Sequence, residues 1–195
     1  MKLTKSFFIF SVLLSGIFSL TACAVRTPVN QVSVAEVMKN LKYYNIVFKD
    51  TTLAPNIESN IPTPIPIYEC ESTAMNYLNS KGVFERVIKA NQVDLNEKQN
   101  PYDKPTLFVE SELTFLRIVS TAARFWGGVL VGRSAMKINI KLRDASTGEI
   151  VVAQELVGAP NAYSSAWSVG SADQTLPVKM GYLLGDFILA NVSGK

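Results

Sequence analysis

Two stretches in the second half of the chain alternate apolar and polar residues with a period of two. Residues 107–115 and 136–142 place apolar side chains at most alternate positions, with polar side chains between them. This pattern is typical of β-strands that bury one face and leave the other in solvent. Residues 144–149 then suit a hairpin loop with Gly148 in a left-handed conformation, and the run 150–157 predicts the return strand.

The polar face of the first predicted strand is acidic and that of the next is basic. If the strands are neighbours, Glu110 and Glu112 face Lys137 and Lys141 as cross-strand pairs. Two strand residues are separated by about 6.6 Å, near the lower bound for the carboxylates of an inverting glycosidase. An acid catalyst needs a pKa that burial has raised, whereas basic neighbours keep a carboxylate ionised. A solvated charged face is therefore the preferred interpretation.

Two other stretches repeat apolar residues with helical spacing. The first predicts a helix over 67–80 that ends before Gly82, a residue suited to a helix C-terminus. The second predicts a helix over 176–191, with Asp173 or Thr175 as its N-terminal cap.

Gly181 and Gly185 stand in a GxxxG spacing on the second predicted helix. In a membrane this spacing lets two helices pack closely. The helix is shorter than the about 20 residues that a bilayer span requires, so close packing on the sheet is the preferred interpretation.

Further segments complete the predicted fold. Residues 43–48 and 83–88 are expected to be strands, and the proline-containing segment 50–66 is expected to be an extended loop. The predicted order is β-α-β-β-β-β-α. This predicts one α+β domain with a mostly antiparallel sheet of about five strands packed against two helices.

The N-terminus has the features of a secretory signal peptide. Lys2 and Lys5 precede an apolar run over 7–20, and the sequence Leu-Thr-Ala then leads into Cys23. This looks like a bacterial lipobox, whose cysteine sulfur receives a diacylglyceryl group. We therefore expect a signal peptide at 1–22, a lipidated N-terminus and tether at 23–41, and a periplasmic domain at 42–195.

The acyl chains of a lipoprotein cysteine would hold the protein at a membrane, because two or more chains give stable anchoring. The residue after Cys23 is Ala24, not Asp. Asp at that position would suggest retention in the inner membrane of enteric-type bacteria. The sequence therefore predicts palmitate labelling and anchoring to the cell outer membrane, with the domain facing the periplasm.

Composition excludes several classes of function. The chain of 195 residues has a net charge of +3, two cysteines and no histidine. Catalysis by Ser-His-Asp or Cys-His sets is therefore excluded, and two cysteines cannot hold a zinc ion alone. Near-neutral charge argues against nucleic-acid binding. We expect no metal and no cofactor beyond the acyl chains on Cys23. Cys70 lies on the apolar face of the first predicted helix and is expected to be buried, the alternative being a reactive thiol.

Residues 127–134 nearly match the phosphate-loop pattern G-x-x-x-x-G-K-[ST], with arginine in place of the lysine. A phosphate loop requires a helix N-terminus after its glycines. Here a predicted strand follows, so nucleotide binding is not expected.

The segment 122–133 is unusual for a connection between strands because it is apolar, aromatic and rich in glycine. It either forms an exposed surface for a partner or a membrane, or folds into the core as a strand end or β-bulge. The candidate contact residues are Arg124, Phe125, Trp126, Gly127, Gly128, Gly132 and Arg133.

The motifs around this segment resemble a known family. ARFWGG at 123–128, GRS at 132–134 and DASTGEI at 144–150 are similar to the bacterial lipoprotein family called domain of unknown function 4410. The first two also resemble the curli-secretion channel lipoproteins, whose corresponding segment opens a membrane-spanning β-hairpin. Residues 124–134 cannot supply two spanning strands of about 9–11 residues each, which argues against a pore. The resemblance implies a periplasmic α/β domain on a lipid tether, and it carries over no established activity or catalytic residues.

These features predict a non-catalytic binding or assembly module of the cell envelope. Its partner would be an unknown envelope protein or a second copy of the chain, and the membrane contact would be through the lipid. The alternative is an oligomeric accessory component of secretion or transport. An enzyme that uses buried carboxylates is the remaining class.

Overall fold

The computed structural model describes residues 33–92, 103–160, 168 and 170–192. The predicted signal peptide at 1–22 and the predicted lipidation site Cys23 lie outside the described residues, as does most of the predicted tether. The described part of the chain forms one α+β domain, which confirms the predicted fold class.

The described residues form five helices and six strands. They are α1 (Val34–Lys39), β1 (Asn45–Phe48), β2 (Thr52–Ser59), α2 (Pro64–Lys81), β3 (Arg86–Lys89), β4 (Thr106–Arg117), α3 (Thr121–Gly127), β5 (Ala135–Asp144), β6 (Ile150–Gly158), α4 (Ser171–Gln174) and α5 (Leu176–Asn191). Short 3₁₀ turns follow β3 at Ala90–Gln92 and α3 at Gly128–Val131.

The sheet of the described residues has six strands in the order β3-β1-β4-β5-β6, with β2 paired to β4 beyond the end of β1. Strand β1 is parallel to β3 and to β4, and β2 is also parallel to β4. The β4-β5 and β5-β6 pairs are antiparallel. The sheet is therefore mixed rather than mostly antiparallel, because the crossover through α2 returns the chain to the sheet in the direction of β1.

Strand β2 lies in the segment that the prolines predicted to be a loop. Its pairing with β4 is interrupted between Leu53 and Glu58, and Pro55 falls within that interruption. The proline therefore takes no ladder position, and the flanking residues still pair, as is typical of proline at irregular strand edges.

The two long helices lie side by side and run in the same direction. Gly181 of α5 lies against Thr73 and the carbonyl oxygen of Cys70, and Gly185 lies against the ring of Tyr77. The GxxxG spacing thus serves contact between the helices of one domain, where we expected contact with the sheet. Helix α2 ends as predicted at Gly82, whose φ is 65°.

One face of the sheet meets this helix layer and the other is polar. In β5 the side chains of Met136, Ile138, Ile140 and Leu142 are buried against the core. The intervening side chains of Lys137, Asn139, Lys141 and Arg143 lie on the open face. The predicted hairpin follows, with Gly148 at a φ of 74°.

Candidate interaction surface

The connection between β4 and β5 is a short helix and a 3₁₀ turn, not an irregular loop or a β-bulge. The hydroxyl of Ser120 accepts a hydrogen bond from the Ala123 amide at 3.2 Å and thereby caps α3. Gly128 and Gly132 have positive φ values of 50° and 87° and mark the two ends of the following turn. The glycines of this segment thus shape turns, because L-residues with side chains rarely adopt this conformation.

Arg124 is buried beneath this segment, whereas the sequence predicted it as a contact residue. Its Nε donates to Asp173 Oδ2 at 2.7 Å and its Nη2 donates to Asp173 Oδ1 at 3.1 Å. Its Nη1 also donates to the carbonyl oxygen of Gly128 at 3.0 Å. Neither charged side chain is exposed to solvent. The ion pair therefore fixes α3 to α4 and holds the turn after it.

Asp173 has a different role from the predicted helix cap. It lies within α4, and Thr175, at the N-cap position of α5, makes no side-chain capping hydrogen bond. Gly170 packs closely on this pair, since a Cβ atom there would lie 3.3 Å from Cγ of Arg124.

Three large apolar side chains project from this fixed segment. Phe125 is 66% exposed, Trp126 is 85% exposed and Leu130 is 91% exposed. The rings of Phe125 and Trp126 meet edge to face with their centroids 5.0 Å apart. We call these three residues the apolar tip. These three side chains are therefore exposed and do not fold into the core.

Two arginines flank the apolar tip. Arg117, at the end of β4, donates through Nη2 to the carbonyl oxygen of Val131 at 3.1 Å. Arg133 follows the 3₁₀ turn, and both arginines are exposed. Residues 117–135 contain no aspartate or glutamate, so the segment that carries the tip is basic and apolar.

The acidic strand face lies elsewhere, over the open face of the sheet. Glu110 lies opposite Lys141 as predicted, but it forms ion pairs with Lys49 at 2.8 Å and Arg143 at 3.1 Å. These two cations, Arg143 above all, lower the pKa of Glu110 to about 2. A carboxylate held in this state stays ionised and is unsuited to act as an acid catalyst.

The pairing predicted for Glu112 and Lys137 is not found. Glu112 lies opposite Asn139 and accepts a hydrogen bond from its amide at 3.2 Å. Lys137 lies opposite Phe115 instead, with its ammonium 5.9 Å from the ring centroid. The register that places Glu110 opposite Lys141 also places Glu112 opposite Asn139, and a shift between Leu113 and Phe115 moves Lys137 from Thr114 to Phe115.

A buried carboxylate that the sequence did not single out ties α2 to the sheet. Glu71 accepts hydrogen bonds from the amide and hydroxyl of Thr51, and it forms an ion pair with Lys89. The Thr51 hydroxyl also contacts the hydroxyl of Ser111. With both oxygens partnered, this cluster is structural. Glu71 adjoins Cys70 on a predicted apolar face, and its neighbours are distant in sequence, so no local pattern signals it.

Cys70 is buried in the α2-α5 contact, as predicted. Burial raises the pKa of its thiol to about 12, with a smaller effect from the Glu71 carboxylate. Such a thiol has little thiolate and is chemically inert under ordinary conditions.

The described residues contain no group of three or more Cys, Asp or Glu side chains arranged to hold a metal ion. None of the helices in the described ranges combines the length and hydropathy that crossing a bilayer requires.

No known protein family matches the chain, and no curated protein matches it. Solved structures do resemble it. A PelC dodecamer from Paraburkholderia phytofirmans is 15% identical, with 80% of this chain and 91% of that chain covered and a TM-score of 0.48. A DUF330 protein from Xanthomonas campestris is 14% identical, with 87% and 94% covered and a TM-score of 0.46.

A minor lipoprotein from Acinetobacter baumannii is also similar, at 13% identity, with 76% of this chain and 94% of that chain covered and a TM-score of 0.35. Likenesses at these TM-scores assign neither a family nor a function. The resemblance to the lipoprotein family of unknown function therefore stays a prediction.

Proposed function

We propose that this protein is a lipid-anchored, non-catalytic binding module of the bacterial cell envelope and that the apolar tip is its contact surface. The observation that carries the proposal is the exposure of Trp126 and Leu130, at 85% and 91%, on a segment held by a fully buried ion pair. Large exposed apolar side chains grouped together mark interaction sites in soluble domains.

The segment that carries the tip is held in one conformation by a buried ion pair, which favours binding. The guanidinium of Arg124 joins α3 to Asp173 and also holds the carbonyl of Gly128 at the next turn. A surface that is ordered before contact loses less conformational entropy on binding. Tryptophan and arginine are also the residue types that contribute most at protein contacts.

The proposed location in the cell envelope comes from the N-terminal sequence. The charged start, the apolar run and the small residues before Cys23 together fit a lipoprotein signal. Acylation there would place the domain at the outer membrane on its periplasmic side.

Three groups that an enzyme could use are engaged in the fold instead. Glu110 has a lowered pKa, Cys70 is buried with a raised pKa, and both carboxylate oxygens of Glu71 are partnered. Glu110, held ionised, is unsuited to donate a proton, and the buried, protonated Cys70 thiol is unsuited to act as a nucleophile. Glu71 holds α2 to the sheet.

Photo-crosslinking tests the contact surface. A photoreactive amino acid replaces Trp126 or Leu130 in the full-length lipoprotein in its own envelope, and Tyr182, which is 49% exposed on α5, serves as the matched position. We expect products with lipid or another envelope protein from the tip only. Products between two copies would favour the oligomeric alternative, and equal products at Tyr182 or none at the tip would contradict the proposal.

Palmitate labelling tests the anchor. We expect the wild-type chain to incorporate labelled palmitate and the Cys23→Ser variant to incorporate none. Equal incorporation by both chains would remove Cys23 as the lipidation site.

A further inference from the structure

The apolar tip is convex. A side chain exposed to 85% or 91%, as Trp126 and Leu130 are, has most of its surface free of contacts within its own molecule. Ile65 and Tyr68 in the first turns of α2 are also exposed, at 69% and 71%. They lie at the same end of the sheet, because Asn60 just before α2 exchanges hydrogen bonds of 2.9 Å with the backbone of Ile118 just before α3.

The positive charges on either side of the tip are complementary to the negative phosphates of phospholipid headgroups. Arg117 and Arg133 are exposed on either side of it, and the segment between them carries no acidic residue. Arginine and aromatic side chains are the pair of residue types that favour the boundary between headgroups and acyl chains.

Several backbone groups of the segment that carries the tip are hydrogen-bonded within the protein. Polar backbone groups that lose water in a membrane must be bonded within the protein. The amide of Arg124 donates to the carbonyl of Ser120 at 3.0 Å. The carbonyls of Gly128 and Val131, at the two ends of the turn that carries Leu130, accept from the guanidinium groups of Arg124 and Arg117.

We infer that the apolar tip inserts into the headgroup–acyl boundary of a phospholipid bilayer. This inference rests on the proposed function and names the occupant of its contact surface. Helix α3 and the turn Gly128–Val131 are far too short to cross the membrane. They lie in the plane of the interface, where apolar side chains reach about 5–10 Å below the headgroups.

Tryptophan fluorescence tests the insertion. The chain has two tryptophans, so W167F leaves Trp126 as the single emitter. The acylated full-length W167F protein is reconstituted in vesicles of phosphatidylcholine and phosphatidylglycerol. Insertion shifts the emission to shorter wavelengths, and brominated acyl chains quench it severalfold. Water-like emission without such quenching would overturn the inference.

Two variants serve as controls. In W126F/W167F/Y182W the single tryptophan lies on α5, at a residue that is itself half exposed, and we expect no quenching by brominated acyl chains. In L130D/W167F the carboxylate opposes insertion, and we expect quenching of Trp126 to be lost while the urea unfolding midpoint stays unchanged. Equal quenching in either control would contradict insertion of the tip.

The dependence of Trp126 fluorescence on lipid composition and on protein shows what the apolar tip binds. Quenching that weakens when phosphatidylglycerol is omitted supports the role of Arg117 and Arg133, and quenching that does not change overturns it. A blue shift that requires envelope protein, or that grows with protein concentration without vesicles, overturns the inference but leaves the proposed function standing. If photo-crosslinking at the tip also gives no product, both fail.

Discussion

At the scale of single residues, the buried ion pair of Arg124 and Asp173 is the strongest constraint on the contact surface. Two charges removed from water carry a large desolvation penalty, which bidentate geometry and further hydrogen bonds offset. Here a third hydrogen bond, from Nη1 of Arg124 to the carbonyl of Gly128, helps to offset the penalty and also fixes the turn that carries the tip. A short helix that would be marginal alone is thereby held in place.

Breaking this pair should destabilise the whole domain. We expect R124A and D173N each to lower the free energy of unfolding by about 3–5 kcal/mol, because each leaves an uncompensated buried charge. The double variant R124M/D173L should lose less than the sum of the two single losses. Urea unfolding measures the losses, with R133A as the exposed control. A D173N protein as stable as the control would contradict the structural role of the pair.

Cys70 makes a pH-dependent contribution to stability. Its folded-state pKa is raised to about 12 from the ordinary value of 9.0. Between these two values the unfolded chain releases the thiol proton while the folded chain retains it, so the free energy of unfolding falls as pH rises. We expect stability to decline above pH 9 in the wild type and less steeply in C70A.

Thiol labelling checks the same property independently of stability. The native acylated chain should react severalfold more slowly with a thiol reagent at pH 8 than the same chain in urea. Fast labelling of the native chain would contradict the burial of Cys70.

At the scale of elements, the sequence predicts those strands, turns and helix ends that depend on residues close together in the chain. The period-two strands β4 and β5, the hairpin with Gly148 and the end of α2 at Gly82 all follow from residues close in sequence. Strand β2 escapes this reasoning because its pairing jumps across Pro55. Helix α3 escapes it because glycines and aromatics in a short connection also suit a loop.

The candidate site likewise contains some residues that the sequence identifies correctly and others that it does not. Its apolar side chains can be recognised from sequence, since Phe125 and Trp126 stand out in a connecting segment. The burial of Arg124 cannot be recognised, because its partner Asp173 lies 49 residues away and resembles a helix cap. Whether a side chain is exposed or buried depends on contacts that only the folded chain brings together.

The contact between α2 and α5 gives a prediction for Gly185. A Cβ atom there would lie 2.4 Å from Cδ1 of Tyr77, and the Tyr77 hydroxyl is hydrogen-bonded to Asp186, which restricts movement of the ring. We expect G185A to lower the free energy of unfolding by about 1–3 kcal/mol through overpacking. In a Y77A background the same change should stabilise by up to about 1 kcal/mol through helix propensity. A double-mutant cycle by urea unfolding measures both, and equal effects in the two backgrounds would refute the contact.

At the scale of the whole molecule, the chain enters the fold at one end of the sheet and presents the apolar tip at the other. The entry end is marked by the Lys42 amide, which bonds to the Val192 carbonyl at the end of α5, and by the Tyr44 amide, which bonds to the Pro105 carbonyl before β4. The tip follows the far end of β4. The twelve residues of β4 span about 40 Å.

This separation makes tether length a test of how anchor and tip work together. The chain from Cys23 to Ser33, where the described part begins, reaches at most about 35 Å when fully extended. An acylated Cys23 and an inserted tip therefore share one bilayer only if the domain tilts so that its entry end also approaches the membrane.

Deletion of residues 25–30 should thus abolish quenching of Trp126 by brominated lipids in the acylated W167F protein, whereas a Gly/Ser sequence of equal length should preserve it. Palmitate labelling should be equal in both chains, because Cys23 and the residues before it are unchanged. If the shortened chain is quenched as strongly as the control, anchor and tip do not compete for tether length. The entry end then lies close to the bilayer whenever the tip is inserted.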